Sequence, residues 1–112
     1  MSRGGAIDYP GALEAVERIL NRGGNAEDVL REVLAALRSR GISFASVQVA
    51  GRKGLGDALP DGEQGERIVA PVVHEGSEIG SLALAADDRA FVERVATLIS
   101  WYVARVETRR DQ

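Results

Sequence analysis

The segments at 68–73 and 78–86 are apolar, of strand length, and separated by only four residues, His74, Glu75, Gly76 and Ser77. A parallel pair needs a crossover of about a dozen residues or more, so these two strands can meet only as an antiparallel hairpin. That constraint decides the kind of sheet. The first run, Ile68-Val69-Ala70-Pro71-Val72-Val73, is continuously apolar, which predicts a strand buried on both faces with Pro71 removing one ladder donor. In the second, Leu82 and Leu84 share one face, while Ile79, Ser81, Ala83 and Ala85 share the other.

Upstream the hydrophobic period is helical twice. From Pro10, a first-turn residue, Leu13, Val16, Ile19 and Leu20 form one stripe that ends at Arg22-Gly23-Gly24. Asn25 then reads as an N-cap with Glu27 and Asp28 in the first turn, and Val29, Leu30, Val33, Leu34 and Leu37 make a second stripe closed by Gly41. After Gly41 the period becomes two: over 42–50, Ala45, Val47 and Val49 face the core and Phe44, Ser46 and Gln48 face away. Residues 51–67 carry five glycines and Pro60 and read as loop, with 55–59 pairing briefly as an edge strand. Asp87 or Asp88 caps a last helix over about 89–107, whose stripe is Phe91, Val92, Val95, Leu98, Ile99, Tyr102, Val103 and Val106.

Helices that bracket an antiparallel sheet predict an α+β two-layer sandwich, with the N- and C-terminal helices packed on one face. The 112 residues suit one domain, expected over 10–108 between a flexible lead-in at 1–9 and a polar tail at 109–112. A net charge of −3 lacks the basic field of a nucleic-acid binder, and the five aromatic residues include one adjacent pair, Trp101 and Tyr102. No apolar run approaches a membrane span and the first residues lack a signal-peptide core, so the expected setting is cytoplasmic.

Chemistry-bearing residues are few. With no cysteine, thiol catalysis, zinc thiolates and disulfides are excluded. His74, the single histidine, reads as a solvated turn residue, and Ser77 beside it has no sheltered cleft in which to act as a nucleophile. Gly51-Arg52-Lys53-Gly54-Leu55-Gly56 lacks phosphate-loop spacing, and the calcium-loop echo at Asp57 and Asp61 fails at Leu59 and Ile68, where oxygen ligands are needed. No catalytic residue, metal or cofactor is expected, and the chain reads as a non-enzyme.

The hairpin with its proline-containing first strand, glycine turn and Ile79-Gly80-Ser81-Leu82 return, followed by Asp87-Asp88 and an apolar last helix, resembles a GAF domain, a small-molecule sensor module of bacterial signalling proteins. The resemblance spans about 11–107. It implies a sensor or regulatory role in signal transduction, with a small ligand, a signalling partner, or a homodimer made by the terminal helices. The family's segment between the first strand pair and the hairpin roofs its pocket with helices. The corresponding 51–67 is too short for two helices, so the ligand face, lined by Phe44, Ser46, Gln48, Ser81 and Ala83, is expected to bind weakly or not at all. The family's reductases and pigment carriers work through cysteines that are missing here. A ligand-free interaction module of PAS- or roadblock-like type is the alternative.

Trp101 lies off the sheet-facing stripe of the last helix and is flanked by Arg94 and Arg105. Tryptophan and arginine are favoured at interface centres, which predicts a homodimer face made of Leu13, Val16, Leu20, Leu98, Trp101 and Arg105. Packing of Trp101 on the first helix of its own chain is the competing expectation.

Overall fold

The computed structural model describes residues 7–50, 55–56 and 67–109. Its elements are α1 (Tyr9–Arg22), α2 (Ala26–Ser39), β1 (Ala45–Val49), β2 (Leu55–Gly56), β3 (Ile68–His74), β4 (Ser77–Leu84) and α3 (Arg89–Arg109). The strands form one antiparallel sheet in the order β2-β1-β4-β3. The fold is therefore α+β, as the hairpin and the bracketing helices predict. The phosphate-loop and calcium-loop comparisons, and most of the expected 51–67 loop, lie outside the described residues, apart from the short β2 and Arg67.

The helices start where capping chemistry starts them. The Asn25 side chain accepts from the Asp28 amide (3.2 Å) ahead of α2, and Asp88 Oδ1 accepts from the Phe91 amide (3.2 Å) ahead of α3. α1 begins one residue earlier than the Pro10 expectation, because Asp8 is its N-cap and accepts from the Gly11 amide (3.0 Å). The end of the expected lead-in is thus tied into the body. Ile7 packs against the core. The Asp8 amide donates to the Arg40 carbonyl (3.1 Å), and the Arg40 guanidinium donates to Asp8 Oδ2 (3.3 Å). Asp87, freed from capping, accepts from the Tyr9 hydroxyl (2.5 Å), and its own amide donates back to that hydroxyl (3.0 Å). The Tyr9 ring lies 4.8 Å from Phe91.

The apolar sheet face is Ala45, Val47 and Val49 of β1, Leu82 and Leu84 of β4, and Ala70 and Val72 of β3, all buried. α2 sets Leu30, Leu34 and Leu37 over the β1 end of the sheet, and α3 sets Val92, Val95, Ile99 and Val103 over β3 and β4. α1 packs on α2 and α3 and not on a strand, so the sandwich is two-layered where α2 and α3 meet the sheet. Each fully buried leucine, isoleucine or valine stabilises this arrangement by about 1.5–3 kcal/mol.

β3 departs from the expectation. It is an edge strand, not a strand buried on both faces: its burial alternates, leaving Val69 54% and Val73 48% exposed. A continuous apolar run does not by itself require cover on both faces, because side chains alternate in a strand and this sheet carries helices on one side. β3 joins β4 through Glu75 and Gly76, both at positive φ (54° and 82°), as tight hairpin turns require. Across the ladder Gly80 pairs with Val49 and with Val72, and a methyl group there would run into the Gln48 carbonyl. This close approach explains the glycine of the Ile-Gly-x-Leu return strand.

Two outcomes follow from this packing. Gly80→Ala forces β1 away from β4 and is expected to cost about 2–3 kcal/mol in urea denaturation. Burial, and then the hydrogen bond to Asp87, raise the Tyr9 hydroxyl pKa above its ordinary value of 10.0. The folded chain then holds this proton more tightly than the unfolded chain, so its contribution is intact below pH 10 and is lost as the pH rises past 10. Tyr9→Phe should remove that alkaline decline and lower neutral-pH stability by about 1–2 kcal/mol in thermal melts.

Candidate functional site

Two faces collect the residues singled out by the sequence. The first is the side of the sheet away from the helices. The register sets Ser46 opposite Ala83 and Gln48 opposite Ser81, and Phe44 joins them through its carbonyl, which accepts from the Ala85 amide (2.9 Å). The five expected ligand residues therefore do share one face. Their exposure differs from that of an open binding surface: Phe44, Ser46 and Ala83 are buried, Ser81 is half-buried, and Gln48 is exposed. Ser46 is the buried polar residue of the described core at 2% exposure, and its hydroxyl accepts from Gln48 Nε2 (3.4 Å). The Arg67 guanidinium lies 5.2 Å over the Phe44 ring. Ser46 and Gln48 are thus bonded to each other.

The second face is the seam of α1 and α3. The two helices run side by side in the same direction: Tyr9 meets Asp87 and Phe91 at their starts, and the Tyr102 hydroxyl donates to the Leu20 carbonyl (3.1 Å) near the end of α1. Between these points Arg94 reaches Glu17 (3.7 Å). Leu13, Leu20, Leu98 and Tyr102 are half-buried along the seam and packed on the core. Trp101 stands 50% exposed, its ring edge-on to Tyr102 at 4.9 Å and covered on one side by the Arg105 guanidinium at 4.8 Å. Of the six residues expected here, Val16 is fully buried and drops out of the face; it points from α1 into the core. The other five are half-buried or exposed.

The seam's polar fasteners escaped sequence reasoning. Tyr9 to Asp87 and Tyr102 to Leu20 span 78 and 82 residues. No local spacing signals such pairs; only the parallel placement of two helices at opposite ends of the chain creates them.

Among the described residues no group of three or more His, Asp or Glu could hold a metal ion. His74 sits in the hairpin with its Nε2 3.8 Å from the Glu75 carboxylate, which is almost fully exposed. Among the described residues no helix is long and apolar enough to cross a membrane.

Tyr102→Phe removes the hydroxyl that ties α3 to α1 while keeping the ring beside Trp101. It should lower stability by about 1 kcal/mol in denaturant titrations and leave Trp101 emission in the folded chain unchanged. No protein-family model and no curated protein matches this chain.

Proposed function

We propose that the chain is a non-catalytic regulatory domain, GAF-like in the order of its helices and strands, that acts by pairing with a second copy of itself through α1 and α3. The observation that carries this reading is Trp101, half exposed on α3 and stacked under Arg105, beside Tyr102, which bonds α3 to α1. A large ring left half in water loses the benefit of burying its remaining apolar area, and interface centres are enriched in tryptophan and arginine for that reason. Self-association there would couple to the rest of the domain through α3, which lies on β3, β4, α1 and α2.

A small ligand on the outer sheet face finds less support. Phe44, Ser46 and Ala83 are buried and Ser46 is already bonded to Gln48, so Gln48 and Ser81 alone offer polar atoms to a solute. This favours action through the helices, whether the partner is a second copy or another signalling protein.

Sedimentation velocity of the wild type and Trp101→Ala over a concentration series tests the reading. The wild type should dimerise and the variant remain monomeric, with monomer stability changed by about 1 kcal/mol or less because the side chain is half exposed. Equal sedimentation of the two proteins would sink the self-pairing role.

A further inference from the structure

α1 is packed on the domain along its length but joined to it through one short link. Among the described residues it touches α2 and α3 and no strand. Its directional ties go to the same neighbours: Asp8 to Arg40 at the end of α2 (3.3 Å), Tyr9 to Asp87 ahead of α3 (2.5 Å), Glu17 to Arg94 (3.7 Å) and Leu20 to Tyr102 (3.1 Å). The link is Gly23-Gly24, between the end of α1 and the Asn25 cap of α2. It reverses the chain with φ of 75° at Gly23 and 134° at Gly24, and Gly23 combines its φ with a ψ of −167°. That combination lies in a region that glycine alone enters without strain. Space does not limit either position, since an added methyl would meet the Tyr102 hydroxyl at 3.8 Å from Gly23 and a Val29 methyl at 3.6 Å from Gly24. The fold-back of α1 onto its own chain therefore depends on the backbone conformation of two residues.

We propose that this domain pairs by exchange of α1, each copy's α1 docking on the α2 and α3 of the other, an inference that rests on the self-pairing reading above. The contacts formed between copies are then the ones already made within a single chain, so the interface is complementary from the outset. Only the Gly23-Gly24 link changes shape. Two extended residues span about 7 Å, which keeps both links close to the two-fold axis. Trp101 stands at that end of the domain. Tyr102 bonds to Leu20 and borders Gly23, and the Trp101 ring is edge-on to Tyr102 at 4.9 Å. With α1 exchanged, the link of one copy runs from the Tyr102 of the other back to its own α2, and the two bodies are drawn together there. Half-exposed Trp101 and the Arg105 stacked on it thereby gain a covering surface that the closed monomer lacks.

The chain has no cysteine, so Glu17→Cys together with Arg94→Cys sets one thiol on each side of an α1–α3 contact. The ion pair lost is exposed and contributes little. The dimer fraction from size exclusion is treated with a short bis-maleimide and run on a denaturing gel. Exchange predicts covalent dimer as the main product. Cross-linked monomer recovered from that dimer overturns exchange and leaves self-pairing intact, whereas a wild type that forms no dimer overturns both. A second arm is Gly23→Val with Gly24→Val in the otherwise unaltered chain. β-branched residues resist positive φ and favour the extended link, so dimer affinity should rise by roughly tenfold or more. Unchanged or weakened affinity overturns exchange. So does a link variant that fails to fold, because exchange leaves every contact of α1 in place.

Discussion

The apolar face of β4 is the surface on which the rest is assembled. Leu82 and Leu84 are fully buried, their strand is bonded along both edges by β1 and β3, and α3 lies across them. β4 can hold two neighbours at once because Gly80 lets the Gln48 carbonyl come close where β1 and β4 meet. With that contact made, Val47 and Ala70 flank Leu82 while Val49 and Val72 flank Gly80, giving a continuous floor for the helices. Burial of this floor is non-directional and large, so it dominates the stability of the domain.

Directional contacts then select one arrangement of helices on the floor. Asp8 ties the start of α1 to the end of α2 through Arg40, Tyr9 ties it to the start of α3 through Asp87, and Tyr102 ties α3 to the end of α1. These bonds are few but join segments distant in sequence, and the bond from Tyr102 to Leu20 is partly buried. The surface ion pairs, Arg22–Glu32, Arg31–Glu27 and Arg94–Glu17, are exposed and contribute little by comparison.

The two candidate faces differ in what covers them. On the sheet, the residues opposite the helices come together as alternation requires, yet most are buried and Ser46 is bonded to Gln48. On the helices, five of the six residues read from the stripes are half-buried or exposed, and Trp101 stands half in water beside Tyr102. Val16 shows the limit of the stripe argument. It shares the stripe with Leu13 and Leu20, and only the contact of α1 with α2 and α3 decides that it is the residue sealed inside.

Elements whose causes are local were legible from residues alone. The Asn25 and Asp88 caps, the Glu75-Gly76 turn, the period change after Gly41 and the antiparallel sense of the hairpin each depend on a few neighbouring residues or on chain reach. Strand order, the side on which a strand lies, and contacts between chain ends depend on which surfaces find each other after collapse. β3 is the clearest case: six consecutive apolar residues have the composition of a central strand, but β4 has one edge left for it and the helices cover one side. Burial is a property of the assembled neighbours, so only the tertiary structure could place Pro71 on an open edge and Trp101 half in water.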